Sequence, residues 1–214
     1  MRCYKCGATL TASDRCPQCK ADVSVYKRAA KASNAYYNLG LAKAKVRDLT
    51  GAAESLKTSV MIHKNNIEAR NLLGLVYCEM GEVVEALSQW VISKNLQPDN
   101  NPAGLQIIHF SAEEYSLHFF VLENYIEYRK YNQALNYAKE GNLDMATIQL
   151  KKIVGQNPHL IKAHQLLALI YIKDGEYARA RKLLMSVLKI DRNNTLAQLY
   201  LKEIEEAQQL KKKQ

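Results

Sequence analysis

Apolar residues recur along most of this chain at the three- and four-residue spacing that puts them on one face of a helix. In residues 67–96 one apolar set ends at Met80, Gly81 interrupts the pattern, and a second set runs from Val84 to Val91. Pro98 follows, and proline disfavours helix in the residue before it. The pattern therefore predicts two short helices joined by a tight turn, each with an apolar stripe that only neighbouring helices can bury.

The same helix–turn–helix window returns along the chain at a regular period. A small residue fills one slot of the first helix in each copy, at spacings of 34, 60 and 34: Gly40, Gly74, Ala134 and Ala168. Alanine recurs in the second helix of each copy, at Ala52, Ala86, Ala146 and Ala180. Small side chains at these slots would let neighbouring helices approach closely, because the distance between packed helices depends on the side chains at the contact.

These recurring slots resemble the tetratricopeptide repeat, a 34-residue helix–turn–helix unit with a small residue, a tyrosine, a turn glycine, an alanine and a closing proline. The tyrosines are Tyr77, Tyr137 and Tyr171, and the turn glycines are Gly81, Gly141 and Gly175. The first copy departs from the pattern, with Lys43, Arg47 and Lys64 in the tyrosine, glycine and proline slots. The resemblance implies an all-α helical solenoid of four repeats, two over residues 33–100 and two over residues 127–194.

The middle spacing, from Gly74 to Ala134, is longer than one period, so we predict that residues 101–126 are an insertion that extends the next helix. Residues 97–105 contain two prolines and predict a loop, and Ser111 with Glu114 forms a capping box. One long helix over residues 112–140 is therefore expected. The part over residues 112–126 is apolar enough to pack on the repeats, or on a second copy in a homodimer. Residues 195–214 predict a capping helix with a basic tail.

The chain begins with two CxxC pairs, Cys3 with Cys6 and Cys16 with Cys19. A CxxC turn puts two thiolates on one side of a tight loop, and two such loops complete a tetrahedron around Zn²⁺. Residues 1–22 resemble a short zinc ribbon of the kind that precedes repeats in some bacterial proteins, which implies one structural Zn²⁺. Two disulfides or an accidental cluster are the alternatives.

The residue after each CxxC pair is expected to have a positive φ, which suits Gly7 and strains Lys20. Residues 23–32 have helical spacing and predict a connector helix with Asp22 as its cap. We therefore expect this helix to run into, or abut, the first repeat, and because a Gly/Ser linker is missing we expect the ribbon not to be freely tethered.

Charge and composition limit the classes of function. The chain has a net charge of +9, and residues 1–32 carry seven lysines and arginines against two aspartates, a net +5. This basic end leaves open an alternative function, a nucleic-acid-associated factor, although Tyr4 is the only aromatic residue of the ribbon. A secretory signal and an 18-residue apolar run are missing, so we expect a cytoplasmic protein without a membrane span.

The resemblance implies that the first helices of the repeats line a concave groove, a leucine stripe flanked by polar and aromatic residues. The repeat frame assigns to it Tyr37, Leu41, Asn71, Leu75, Cys78, Tyr131, Leu135, Gln165, Leu169 and Ile172, with Lys162 near the rim. Such a groove suits a scaffold that binds a helix or an extended peptide of a protein partner. A tightly coiled array or its own capping helix would instead close part of the groove. Catalytic motifs are not found, so no enzyme is expected.

Overall fold

The computed structural model of the protein describes residues 1–104, 106–107 and 117–212. Nine named helices lie in these ranges: α1 (Ser24–Lys45), α2 (Leu49–Ile62), α3 (Ile67–Glu79), α4 (Val83–Leu96), α5 (Leu117–Lys139), α6 (Leu143–Gln156), α7 (Ile161–Lys173), α8 (Tyr177–Ile190) and α9 (Thr195–Lys212). The β structure of the described residues consists of isolated bridges between Arg2 and Thr9 and between Arg15 and Asp22.

Helices α1 to α8 pack as four consecutive hairpins, and α9 packs on α8 as a final helix. This confirms the prediction of an all-α protein built from repeated helical hairpins. The predicted connector is the first part of α1, because α1 begins at Ser24 and is continuous to Lys45. The carboxylate of Asp22 accepts a hydrogen bond of 2.8 Å from the N–H of Ser24, one of the amides that the first turn leaves free.

The small-residue slots bring the two helices of a hairpin together, as predicted. A Cβ at Gly40 would lie 2.6 Å from Cγ of Leu56, and one at Gly74 would lie 2.2 Å from Nε1 of Trp90. The alanines of the repeating slots are fully buried, at 0 % exposure: Ala52, Ala86, Ala134, Ala146, Ala168 and Ala180. Any larger residue at these positions would force the paired helices apart.

The second pair of hairpins, α5 to α8, folds back onto the first pair, α1 to α4. At one contact the N–H of Arg192 donates to the carbonyl of Arg47 at 3.0 Å, and Nε of Arg47 donates to the carbonyl of Ile190 at 3.2 Å. At the other, Nδ2 of Asn157 donates to the carbonyl of Gly81 at 3.2 Å. The first hairpin thus meets the end of the fourth, and the second meets the end of the third. Repeats of a simple solenoid contact only their neighbours.

Asp191 is the central residue of the first of these contacts. Its side chain is fully buried, and its carboxylate accepts hydrogen bonds from the N–H groups of Leu49 and Thr50 at 2.9 and 3.2 Å. The hydroxyl of Thr50 and Nδ2 of Asn194 donate to the same carboxylate. These amides are at the start of α2, so Asp191 provides a cap to a helix that is distant in sequence, where the helix dipole favours a negative charge.

The structure corrects one prediction for the segment between the hairpin pairs. Residues 97–105 were expected to form a loop, but residues 102–104 are helical. Oδ1 of Asn101 accepts a hydrogen bond from the N–H of Ala103 at 3.1 Å, and Pro102 occupies the first position of this turn, where proline is well tolerated. The predicted capping box at Ser111 and Glu114 and the predicted helix start at residue 112 lie outside the described residues, as does the first part of the dimer surface predicted over residues 112–126.

A final helix, α9, is present where the capping helix is predicted, and it begins at Thr195 and extends to Lys212. The side-chain oxygen of Asn194 accepts a hydrogen bond of 2.9 Å from the N–H of Ala197 and caps its first turn. A helix long and apolar enough to cross a membrane does not occur in the described part of the chain.

The two turn glycines Gly81 and Gly141 provide a test of the close contact between the hairpin pairs. Both have positive φ, 74° and 82°, but a Cβ at Gly81 would lie 2.6 Å from the backbone nitrogen of Leu160, whereas nothing lies within 4 Å at Gly141. Gly141→Ala is expected to lower the free energy of unfolding by about 1–2 kcal/mol, the cost of the left-handed backbone. Gly81→Ala is expected to lower it by about 2–4 kcal/mol, because the overlap adds to that cost. Equal losses in urea unfolding would contradict the contact.

Candidate functional site

The four N-terminal cysteines converge on one point. Their Sγ atoms all lie within 4.8 Å of one another, with 3.7 Å between Cys3 and Cys19 and 3.6 Å between Cys6 and Cys16. Four sulfurs at about 2.3 Å from a tetrahedral zinc ion lie about 3.8 Å from each other. A disulfide would need about 2.05 Å between two sulfurs, and none of the four cysteines is in a disulfide. The cluster therefore has the dimensions of a tetrahedral metal site.

Two loops of the same shape, one at each CxxC pair, hold these sulfurs. In the first loop the N–H of Gly7 donates to the carbonyl of Cys3 at 2.9 Å, and in the second the N–H of Lys20 donates to the carbonyl of Cys16 at 3.1 Å. The φ angles of Gly7 and Lys20 are 76° and 56°, so the expected left-handed backbone is present in both loops. A positive φ is unfavourable for a lysine, and Lys20 adopts it because the second loop has the same backbone shape as the first.

The thiols influence one another's ionisation. Backbone N–H groups, first that of Cys19, lower the pKa of the Cys16 thiol to about 6. Although the N–H of Ala8 favours the thiolate of Cys6, partial desolvation and the three neighbouring sulfurs raise the pKa of Cys6 to about 11. Four thiolates in one cluster repel each other, and a bound cation removes that repulsion.

The N-terminal loops contact the helices, in agreement with the expectation that the ribbon is not freely tethered. Nζ of Lys27 in α1 donates hydrogen bonds to the carbonyls of Thr11 and Ser13. The ring of Tyr4 contacts the ring of Tyr26 edge-on, with centroids 5.7 Å apart, and Tyr26 contacts His63 in the same way at 5.4 Å. A chain of aromatic contacts thus extends from the cysteine cluster to the end of α2.

Five of the predicted groove residues lie on the first helices of the first pair: Tyr37, Leu41, Asn71, Leu75 and Cys78. The amide of Asn71 is used internally, since its oxygen accepts from Ser93 at 2.5 Å and its nitrogen donates to Asn101 at 2.9 Å. Leu75 is 42 % exposed. Cys78 is half-buried, and burial raises the pKa of its thiol, which suits a packed residue rather than a nucleophile.

The other five predicted groove residues lie on the first helices of the second pair: Tyr131, Leu135, Gln165, Leu169 and Ile172. All of them are half-buried. Nε2 of Gln165 donates to Oδ1 of Asn194 at 2.8 Å, so this side chain supports the turn that precedes α9. Tyr131 and Gln165 line cavities between the two hairpin pairs, so these two predicted residues lie where the pairs meet.

An ion pair lies at the junction of these cavities. Nζ of Lys162 is 2.9 Å from Oε2 of Glu82, whose side chain is only 6 % exposed. Both residues line a cavity of about 240 Å³ next to Tyr131 and another of about 350 Å³ next to Gln165. Although burial alone would lower the pKa of Lys162, the hydrogen bond and charge of Glu82 raise it above its ordinary value.

Sequence reasoning assigned Lys162 to the rim of a groove but did not find Glu82 or Glu85. Both glutamates follow the turn glycine of the second hairpin, a position that the repeat frame assigns to the edge of an array. They reach the cavities because the second pair folds back over that turn. Burial raises the pKa of Tyr131, so its phenol stays protonated at neutral pH.

Comparisons with known proteins give a family match over part of the chain and several similar structures. Residues 125–204 match the family model described as tetratricopeptide repeat. No curated protein sequence matches the chain. Among solved structures, the chain is similar to Pseudomonas aeruginosa pilF at 15 % identity, with 85 % of this chain and 71 % of that chain covered and a TM-score of 0.34.

Two further structures are similar to the chain. The TPR domain of P58(IPK) has 20 % identity, covers 80 % of this chain and 54 % of that chain, and gives a TM-score of 0.43. The MamA protein has 22 % identity, covers 77 % of this chain and 94 % of that chain, and gives a TM-score of 0.37. The chain thus spans about half the length of the P58(IPK) domain. The family match covers the larger part of the second pair of hairpins and continues into α9.

Proposed function

We propose that this protein is a non-enzymatic scaffold that binds a helix or an extended peptide of a partner protein on the first-helix face of its repeats. The observation that carries the proposal is the exposure of three predicted groove leucines: Leu135 and Leu169 are only half-buried, and Leu75 is 42 % exposed. Apolar side chains that the core does not use gain free energy when a partner covers them, at about 25 cal/mol per Å².

The second pair is the better candidate for the partner site. It is the part that matches the tetratricopeptide repeat, and its leucines are four and three positions from the half-buried Tyr131 and Ile172, a spacing that shares one helix face. An amphipathic helix presents apolar residues every three or four positions, which suits a stripe that crosses two neighbouring helices. Polar groups such as Gln165, and Asn71 in the first pair, already have partners within the chain, so we assign the affinity chiefly to the leucines.

Leu135→Glu is the substitution that tests this surface. A carboxylate at this position would be desolvated by a bound partner, and we expect at least about a tenfold loss of affinity. The matched control is Ile148→Glu, on α6, where the native isoleucine is already 63 % exposed. Partners captured by the wild type are identified by quantitative mass spectrometry, and their dissociation constants are measured with the purified proteins.

The proposal predicts that Leu135→Glu and Leu169→Glu lose the same partner while Ile148→Glu retains it. Equal binding by all three variants, with unchanged circular dichroism, would contradict the assignment of this face. Loss of binding only in Ile148→Glu would move the site to the outer helices.

We also propose that Cys3, Cys6, Cys16 and Cys19 hold one structural Zn²⁺, in a cytoplasmic protein whose thiols remain reduced. Four protein thiolates leave no open position for water, so the ion would stabilise the fold and not catalyse a reaction. The apolar core of this segment is small, since Cys3, Cys16 and Val23 are its buried members. Metal binding would therefore supply most of the folding free energy of the segment, on the order of 10 kcal/mol.

Native mass spectrometry tests the metal directly. The wild type is expected to carry one zinc per chain, Cys16→Ser is expected to lose it, and Cys78→Ser is expected to keep it because Cys78 lies in α3, outside the cluster. Removal of zinc with a chelator is expected to unfold residues 1–22 and to leave the helical circular dichroism signal largely unchanged. A metal-free wild type whose N-terminal thiols all react rapidly with iodoacetamide would overturn the proposal.

A further inference from the structure

The cavity of about 240 Å³ beside Tyr131 has the size of a pocket for one side chain. Pockets for small-molecule ligands and cofactors usually enclose about 300–1,000 Å³, so this cavity is too small for most of them. It is formed by three parts of the chain: α5, the turn at Gly81 with the start of α4, and the turn between α6 and α7 with the start of α7. We refer to it as the junction cavity.

The charges of the junction cavity favour a cationic guest. Glu82, Glu85 and Lys162 line it, so its formal charge is one positive against two negative, a net −1 in a chain with a net charge of +9. Lys162 is bound to the buried Glu82 at 2.9 Å, which leaves the carboxylate of Glu85 for a guest. An anion would face both carboxylates, while Lys162, the ammonium group among the described lining residues, is already neutralised.

The other walls of the junction cavity suit a long side chain with a charged end. Val84 and Leu160 are apolar and can cover an aliphatic stem, and Tyr128 and Tyr131 supply aromatic rings. A cation near the face of a tyrosine is stabilised by the ring, more so where water is partly excluded. Lysine and arginine combine a methylene stem with such a cation.

The junction cavity is continuous with the proposed partner surface. Tyr131 and Leu135 are both on α5, and positions i and i+4 lie on the same face of a helix, one turn from each other. A peptide that covers Leu135 would therefore pass the mouth of the cavity. One side chain of that peptide is then in position to enter it.

We propose that the junction cavity binds a lysine or arginine side chain of the partner, next to an apolar segment that covers Leu135. This inference rests on the proposed scaffold function and adds the chemistry of the partner. Glu85 would act as the counter-ion of this side chain, and Tyr128 and Tyr131 would provide the aromatic contacts. The Glu82–Lys162 ion pair would separate the junction cavity from its larger neighbour.

The probes are N-acetyl-lysine methylamide and N-acetyl-arginine methylamide, with the uncharged N-acetyl-norleucine methylamide for comparison. Each is titrated into the full-length ¹⁵N-labelled protein, and amide shifts are followed by NMR. The lysine and arginine probes are expected to shift the amides of Gly81, Glu82 and Glu85 in a saturable way, and norleucine is expected to bind at least about fivefold more weakly.

Two variants and one control locate the site. Glu85→Gln and Tyr128→Leu are each expected to weaken the lysine probe at least about fivefold, because each removes one interaction with the cation. Glu54→Gln, an acidic residue that lines the larger neighbouring cavity, is expected to leave binding unchanged. Equal binding of norleucine and lysine, equal binding by Glu85→Gln and wild type, or no saturable shift up to about 50 mM would overturn the inference.

The inference and the scaffold function fail in different ways. Leu135→Glu is expected to abolish partner capture and to retain the lysine probe, because Leu135 does not line the junction cavity. If the lysine probe does not bind while Leu135→Glu still loses the partner, the assignment of the cavity is contradicted and the scaffold function is supported. If the probe binds as expected while neither leucine variant affects capture, the scaffold surface falls.

Discussion

The arrangement of the two hairpin pairs depends on the hydrogen bonds that the buried carboxylate of Asp191 accepts. A charge in the interior is tolerated only when it is fully hydrogen-bonded, and Asp191 obtains four donors together with the positive end of α2. The donors of Leu49 and Thr50 belong to the first pair, and Asp191 belongs to the turn after the last repeat helix. The N–H groups of Leu49 and Thr50 and the carboxylate of Asp191 can form these hydrogen bonds only when the second pair folds back on the first.

The residues that form the contacts of the fold-back are spaced by the repeat period in both pairs of hairpins. Asn157 and Asp191 are one period apart and are the first residues after α6 and α8, and the turn residues that they approach, Gly81 and Arg47, are also one period apart. The turn of the first hairpin therefore meets the end of the fourth, and the turn of the second hairpin meets the end of the third. The cavities at the junction follow from this geometry, because helices that meet through their turns leave space between their faces. The ion pair of Glu82 with Lys162 fills part of that space.

Local features of the structure could be predicted from the sequence. The hairpins, the glycine turns and the close approach at Gly74 follow from periodicity and residue size over a few turns of helix. The shape of the cysteine loops follows from spacing and from the residue after each pair, where even Lys20 adopts the left-handed backbone. In each of these cases the residues that decide the structure are neighbours in sequence.

The fold-back could not be predicted, because it depends on contacts between residues that are 76 and 142 positions apart and carry no periodic signal. Arg47 in a glycine slot indicated a weak repeat, whereas in the structure its φ of 60° presents its carbonyl to Arg192. The loop predicted over residues 97–105 was wrong because proline was treated only as a helix breaker, although it also starts helices. Glu82 and Glu85 were overlooked because their surroundings come from the other pair.

A disulfide between residues 47 and 192 tests the fold-back most directly. The carbonyl of Arg47 and the N–H of Arg192 are 3.0 Å apart, so cysteines at both positions are close enough to be joined. Oxidised Arg47→Cys/Arg192→Cys protein is predicted to be a monomer in which peptide mapping finds these two cysteines linked. In a continuous array the first and last repeats would be on the order of 30 Å apart, since packed helices are about 8–10 Å apart. A monomer with both cysteines free after oxidation, or linked only between chains, would contradict the fold-back.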